Sequence, residues 1–438
     1  MLDFIINLLN IEKSRIKSFH VDVLDGITHF YISLIPEHPD CPFCGGCSHI
    51  HGSTRPKKIN HPILTARKSL IVFTATRYMC NDCKKTFSET NPFTFSNFKN
   101  SYFAMDQIMK DLKNLHMTYL DIANKNHVSV STVQRYMDSF LVIPRQTLPV
   151  NLGIDEIHSK LAHYGNSKFL CIFADNERRI LTEILPSRAK IELCRYFDKI
   201  PKNERDKVLY VTMDMWLPYK QVVQRYLVNA QIAVDPFHVI SHLMDGLTRV
   251  RLNIQNQVEY GSDAYYLLKK WKDLLEKRVY LDNKPIYNKR FDRYLNKRDL
   301  LEMTLNINEN LALAYRLKEM YLEFNEHATS SNCQGWFETV YSSFVEADLP
   351  EYREFTAMIY NWKQEILNSF ARPYENRKQS NAFTENINGQ IRTYLAVSNG
   401  VINFIRFRKR VLYCLNYKIF YSITKFLTSD KYERKHIK

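Results

Sequence analysis

No stretch of this 438-residue chain approaches the roughly 18 consecutive apolar residues that a membrane-spanning helix requires. No membrane-spanning helix is therefore expected. The opening segment, "MLDFIINLLNIEKSRIKSF", is apolar only as far as Leu9. It lacks a basic lead and a small-residue cleavage site, so it does not read as a secretory signal. The nine cysteines lack the even number and regular spread of a disulfide scaffold: five fall before residue 84, and Cys171, Cys194, Cys333 and Cys414 are scattered. That distribution points to a reducing compartment. The expected location is the cytoplasm, in association with the nucleoid. Acid is in short supply too. The 46 Asp and Glu residues face 61 Lys and Arg, which leaves a net charge of +15. A surplus of that sign favours a polyanionic partner, with nucleic acid first; a merely soluble basic protein carries the same sign. At 45% hydrophobic residues, the chain can bury sizeable cores in roughly two to four domains.

The clustered cysteines form two CxxC pairs, "CPFC" at 41–44 and "CNDC" at 80–83. Two such pairs, each on a tight turn, supply four thiolates to one tetrahedral zinc. Gly45 and Gly46 suit the sharp turn after the first pair. "SLIVFTATRYMC" is expected as an alternating strand into the second pair, and "KKTF" follows it. The whole predicts a zinc ribbon over residues 1–95, with Cys41, Cys44, Cys80 and Cys83 as ligands of a structural Zn²⁺. Four closed ligands leave no open position for catalysis. Cys47, His49, His51 and His61 are treated as bystanders. The basic residues Arg55, Lys57, Lys58, Arg67 and Lys68 either meet phosphates or form a solvated loop.

Met105, Ile108, Met109, Leu112 and Leu115 form a helical stripe. "TYLDIANKNHVSVSTVQRYMDSF", 118–140, then reads as two helices around the turn "NHVS". Ser129 is placed to cap the second, which carries Val133, Tyr136 and Met137 inward. The pattern matches a helix-turn-helix over 96–145, whose second helix enters the major groove. Ser131, Thr132, Gln134 and Arg135 are the expected DNA-facing residues. His127 occupies the turn position where such motifs usually have glycine, and a plain helical hairpin is the competing reading. "LVIPRQTLPV", with two prolines and no period, marks a boundary.

Beyond it the period changes. "VNLGIDEIHSK", "KFLCIFAD" and "RRILTEIL" read as strands, "KVLYVTMDMW" as a fourth buried on both faces, and "QIAVDPFHV" as a fifth, with helices over 187–200 and 217–229. Asp155 lies inside the first strand and Asp214 ends the fourth. The order resembles a ribonuclease-H-like fold, in which the first and fourth strands are neighbours. That likeness implies that Asp155 and Asp214 approach one another. Two carboxylates so close repel unless a cation sits between them, and Mg²⁺ or Mn²⁺ takes oxygen ligands. Glu156 must face the other way, since strand side chains alternate.

Near the end, "SNAFTENINGQIRTY" reads as a helix with Asn381, Glu385, Asn388 and Arg392 on one face. Glu385 is the candidate third carboxylate, flanked by Asn381, Asn388 and Arg392 as orienting or phosphate-holding groups. A solvent-facing helix is the plain alternative. Between about 246 and 375 the pattern is helical, so an all-α insertion is expected within a catalytic domain spanning 146–438. Its Tyr265, Tyr266, Lys269, Lys270, Trp271 and Lys272 either grip DNA or pack a core. The basic run "RFRKR", 406–410, either contacts DNA backbone or forms a solvated face.

Together "CPFC…CNDC", "GIDEIH", "VTMDMW", "DPFHV", "AYRLKEMY" and "SNAFTENINGQIR" resemble a bacterial insertion-sequence transposase of the DDE type, of the ISL-three family. The resemblance runs from about Cys41 to Tyr413 and implies a multidomain α+β chain: zinc ribbon, helix-turn-helix, then a ribonuclease-H-like mixed α/β catalytic domain. It implies Asp155, Asp214 and Glu385 as catalytic acids and Mg²⁺ or Mn²⁺ ligands, and it is what selects Asp155 over Glu156. Asp235 and His238 resemble a supporting element beside the site; a capping or core histidine is the other reading of His238. The implied chemistry is DNA end cleavage and strand transfer by two metals about 4 Å apart. The implied partners are terminal inverted repeats, target DNA and further copies of the chain, as a homodimer or larger synaptic complex. The rival class is a non-catalytic, domesticated DNA-binding regulator built from the ribbon and the helix-turn-helix.

Overall fold

The computed structural model describes residues 12–62, 67–161, 168–374, 377–398 and 402–423. Chain contacts divide it into two units, one of residues 1–144 with 391–438 and one of residues 145–390. The sequence reading kept residues 391–438 with the catalytic domain.

The first unit opens with a hairpin, β1 (Ile16–Leu24) and β2 (Ile27–Leu34). Its turn residues Asp25 and Gly26 both have positive φ, 49° and 74°, as a two-residue turn matched to strand twist requires. β3 (Ser48–Ser53), β4 (Lys57–Asn60), β5 (Ser69–Phe73), β6 (Thr76–Cys80) and β7 (Thr86–Ser88) follow. They form two sheets, of order β1-β2-β5-β4 and β3-β6-β7. The single strand expected for "SLIVFTATRYMC" is therefore corrected. It breaks at Thr74–Ala75 into β5 and β6, which belong to different sheets. Phe30, Ile32, Ile59, Ile71 and Phe73 pack the larger sheet's buried face, with Phe93 against them.

Three helices come next: α1 (Tyr102–Leu112), α2 (Tyr119–Lys125) and α3 (Val130–Phe140). The apolar stripe Met105, Ile108, Met109 and Leu112 is fully buried, as are Val133, Tyr136 and Met137. Thr118 and Asp121 close a capping box at the start of α2. Ser129 accepts from the Thr132 amide at 3.2 Å and caps α3.

The second unit is built on one five-stranded sheet: β8 (Asn151–His158), β9 (Phe169–Asp175), β10 (Ile180–Leu185), β11 (Tyr210–Met213) and β12 (Gln231–Val234). Their order is β10-β9-β8-β11-β12. The first three strands are antiparallel; β11 runs parallel to both β8 and β12. Helices α4 (Lys190–Asp198) and α5 (Leu217–Tyr226) join the later strands. Leu193, Phe197, Tyr219 and Val223 bury against strand residues Ile154, Phe173 and Val211.

After β12 the chain enters a long helix, α6 (Pro236–Gln257), then α7 (Asp263–Lys270). A two-stranded hairpin, β13 (Ile286–Asn288) with β14 (Arg293–Leu295), interrupts the helical run. The block expected to be all-α therefore carries one small sheet. Helices α8 (Lys297–Leu305), α9 (Glu309–His327), α10 (Cys333–Ala347) and α11 (Arg353–Asn361) complete it. Leu317, Tyr321 and Phe324 join its core. Helix α12 (Ala382–Val397) then carries the polar face noted above, and α13 (Phe404–Leu415) follows it.

Candidate active site

Parallel pairing sets the position of three acids. Tyr210, Val211 and Thr212 of β11 lie opposite Asn151, Leu152 and Gly153 of β8. Asp155 is two residues further along β8, and Asp214 immediately follows β11. β12 is in register beside β11, with Met213 opposite Val234, so Asp235 emerges next to Asp214. The Asp235 amide donates to the Met213 carbonyl at 3.0 Å. All three therefore sit toward the carboxyl ends of adjacent parallel strands, where open α/β sheets place their ligands. Asp235 also caps α6, accepting from the Phe237 amide at 3.4 Å. Pro236 at the first helical position fixes the helix start and brings His238 round to the acids.

Two groups of ligand atoms result, each with members within 4.8 Å of one another: Asp155, Asp214 and His238, and Asp235, His238 and Glu385. His238 is common to both. Glu385 thus groups with Asp235 and His238, whereas the sequence reading joined it directly to Asp155 and Asp214. Glu156 points the other way, as strand alternation requires. It pairs with Arg188 and accepts from the Tyr219 hydroxyl at 3.4 Å.

The polar face of α12 is buried against β8. Asn381 donates to the Ile154 carbonyl at 3.0 Å, and Asn388 donates to Asp155 Oδ2 at 2.7 Å. Neither amide is measurably exposed beyond 2%. Two contributors were not singled out from the sequence. Asn176 donates to Asn381 Oδ1 at 3.4 Å and accepts from the Thr384 hydroxyl at 3.2 Å. Gly153 lets the helix approach: a Cβ there would lie 2.7 Å from Asn176 Oδ1 and 2.8 Å from Thr384 Oγ1. A glycine inside a strand is the available signal for such an approach. Arg392 is exposed and falls in the part of α12 that groups with the first unit.

Charge is crowded here. Burial, and then the Asp214 carboxylate, push the Asp155 carboxyl up to about 7. Burial and then Glu385 push Asp235 up to about 6. His238 moves up to about 9, first through its contact with Asp214 and against the opposing effect of burial. Its Nε2 lies 2.9 Å from Asp214 Oδ1, an ion-pair distance without hydrogen-bond geometry. The buried oxygens Asp214 Oδ1, Asp235 Oδ2 and Asn388 Oδ1 therefore find no hydrogen-bond partner in the protein. Buried polar oxygens without hydrogen bonds are costly. A cluster of such oxygens fits a hard divalent cation, which takes oxygen ligands.

Residues 152–411, more than half of the chain, match the ISL-three family of DDE transposases, described as transposase. The chain belongs to that family. A stretch of 125 residues, 28% of this chain, is 26% identical to the transposase for insertion sequence element IS1001 of Bordetella parapertussis. The aligned stretch spans 30% of that protein's length.

The chain carries a second candidate metal site in its first unit. Cys41, Cys44, Cys80 and Cys83 place their sulfurs within 4.8 Å of one another. Cys41 and Cys83 are 3.6 Å apart, and Cys44 and Cys80 3.4 Å. Cys80 accepts from the Cys83 and Asp82 amides, each at 3.4 Å. The Cys83 amide leads in pulling the Cys80 thiol down to about 7. The Gly46 amide favours the Cys44 thiolate, but the Cys80 and Cys83 sulfurs outweigh it and push Cys44 up to about 12. Four thiolates this close need a cation, and Zn²⁺ fits the donor set. Gly45 at φ 75° and Lys84 at φ 57° occupy the matching left-handed positions after each pair. Cys47 stays outside the group. His49 bonds Asn81 and His61 bonds Ser101 instead.

In the helical module, Ser131 and Arg135 are exposed, while Thr132 and Gln134 are half-buried. Gln134 accepts from Arg406 at 2.9 Å, and Arg406 also pairs with Asp138 at 2.8 Å. Arg410 is fully buried. It donates to the Asn114 carbonyl at 2.8 Å and the Met117 carbonyl at 3.0 Å. Both readings of "RFRKR" are corrected for Arg410, which braces the module from inside. His127 has φ 53°; the turn does need the left-handed conformation that glycine favours.

Proposed function

We propose that the two carboxylate groups joined by His238 form one catalytic centre for transposition of a bacterial insertion sequence. In this reading the second unit is a ribonuclease-H-like domain, Asp155, Asp214 and Glu385 are its catalytic acids, and Asp235 joins them as a further ligand. The observation that carries the proposal is the convergence of acids from residues 155, 214, 235 and 385, with buried oxygens that accept no hydrogen bond from the protein. When bound there by these carboxylates, Mg²⁺ or Mn²⁺ polarises the scissile phosphate and lowers the pKa of water.

The chain's own residues prepare the reaction. Asn388 fixes the Asp155 carboxylate by donating to Oδ2. Asn381 ties α12, and with it Glu385, to the Ile154 carbonyl. His238 sets its Nε2 2.9 Å from Asp214 Oδ1 and pairs its charge with that carboxylate. Water attacks the phosphodiester at the element's end. The bond to the 3′ oxygen breaks, and a 3′-hydroxyl is released. That hydroxyl then attacks a target phosphodiester, forming a new P–O bond and releasing a target 3′-hydroxyl. No covalent enzyme intermediate is required.

The four cysteines hold a structural Zn²⁺ in a ribbon over residues 1–95, and the helices of 96–145 read the terminal repeats through Ser131, Thr132, Gln134 and Arg135. Arg392 serves DNA phosphate rather than the acids. Holding two ends together calls for a homodimer or a larger synaptic complex, in the cytoplasm on the nucleoid. The test is nicking and strand transfer on DNA bearing the element's inverted repeats, with Mg²⁺. Wild type cleaves and Asp214→Asn does not. Repeat binding without cleavage by the wild type would support the regulator reading, and cleavage by the variant would refute the residue assignment.

A further inference from the structure

The helical block of the second unit contains a cavity of about 480 Å³ between α7, the β13–β14 hairpin and the start of α8. That is within the usual range for a small-molecule or nucleotide site. Tyr266, Trp271 and Tyr287 line it together with Lys270, Lys289, Arg290 and Lys297; no carboxylate does. Arg290 is spoken for, paired with Asp263 at 2.6 Å. Lys270, Lys289 and Lys297 make no ion pair among the described residues. Lys270 and Arg290 lie over the Tyr266 ring, 5.3 and 5.9 Å from its centroid.

Donors dominate the wall. The buried Trp271 indole N–H lies near the Tyr266 oxygen but meets no protein acceptor in hydrogen-bond geometry, an arrangement that costs free energy unless a ligand supplies one. Burial alone would raise the Tyr266 phenol. The donors Trp271, Lys270 and Asn288 around its oxygen reverse that, and the phenol sits below its ordinary value. A ligand suited to this wall is anionic, offers acceptors and has a flat apolar face.

We propose that this cavity holds one unpaired nucleotide of a DNA strand, its base against Tyr266, Trp271 and Tyr287 and its phosphate among Lys270, Lys289 and Lys297. Base–aromatic stacking tolerates any base and contributes strongly to single-strand binding. Bases inside a duplex remain stacked on their neighbours, so an intact duplex cannot offer one to a concave aromatic wall. The site is separate from the carboxylates, and its occupancy does not depend on their chemistry.

Fluorescence anisotropy of a labelled oligothymidylate, with full-length zinc-loaded protein and no added magnesium, tests this independently of cleavage. Tyr287→Ala combined with Lys289→Glu alters exposed hairpin residues. The pair is expected to weaken single-strand binding about tenfold or more, in line with the loss of one stacked base, and to leave binding of a repeat-bearing duplex unchanged. Trp271→Phe keeps the ring, removes the N–H and is expected to weaken the same binding several-fold. Thymidine monophosphate should compete better than inorganic phosphate. Unchanged single-strand affinity in both folded variants would overturn the proposal. So would an equal loss for single strand and duplex, or equal competition by inorganic phosphate.

Discussion

Asp155 illustrates how this site responds to pH. Its carboxyl is raised from 3.8 to about 7 by burial and by Asp214. A raised folded-state value means that the folded chain holds the proton more tightly than the unfolded one. Its contribution to stability is present below pH 4 and is lost as pH rises through about 7, the reverse of a salt-bridged aspartate. A cation must displace that proton. Divalent-ion affinity is therefore expected to rise between pH 6 and pH 8, measured by calorimetric titration of Mn²⁺. Asn388→Ala removes the donor to Asp155 and should weaken the ion by about 10- to 100-fold, as outer-shell changes do. Gly153→Ala is a packing test. Its Cβ would collide with Asn176 and Thr384, and overpacking of this kind costs about 1–3 kcal/mol. A lowered melting temperature should report it.

At the scale of the element, the turn before α3 holds a non-glycine residue in the left-handed region, His127 at φ 53°. Relief of that strain by His127→Gly should stabilise the first unit by roughly 1 kcal/mol, read as a shift in urea midpoint. The turn was legible because Ser129 caps and Val133, Tyr136 and Met137 keep helical spacing, even though His127 stands where glycine is usual. The strands of the second unit were legible for a similar reason: local period and turn chemistry carry them. Other features depended on partners distant in the chain. Nothing local says that "SLIVFTATRYMC" splits between two sheets, because the break at Thr74–Ala75 is set by which strands each half pairs with. Nor does "RFRKR" show that Arg410 is buried, since the carbonyls that receive it belong to Asn114 and Met117, nearly three hundred residues earlier. The polar face of α12 raised the right question, yet Asn176 and Gly153, which seat the helix, come from another part of the chain.

For the whole molecule, two candidate metal sites lie in different units, one of soft thiolates and one of hard carboxylates. They should respond to different reagents. Removing zinc with a chelator is expected to unfold the three-stranded sheet around Cys80 and abolish repeat binding, seen as lost protection in hydrogen exchange over residues 48–53 and 76–88. The second unit should keep its sheet and its Mn²⁺ affinity. The approach of Asp155 to Asp214 could be anticipated from the likeness to a ribonuclease-H-like fold, whereas the grouping of Glu385 with Asp235 through His238 could not. That grouping depends on where a helix about 150 residues downstream of Asp235 is docked.

The claim beneath all of this is that acids far apart in sequence bind divalent cations jointly. Calorimetric titration of Mn²⁺ into the zinc-loaded full-length protein tests it most directly, with Asp155→Asn and Glu385→Gln beside the wild type. Saturable binding in the wild type that is weakened by either substitution is the predicted result. Undiminished Mn²⁺ affinity in both folded variants would contradict it.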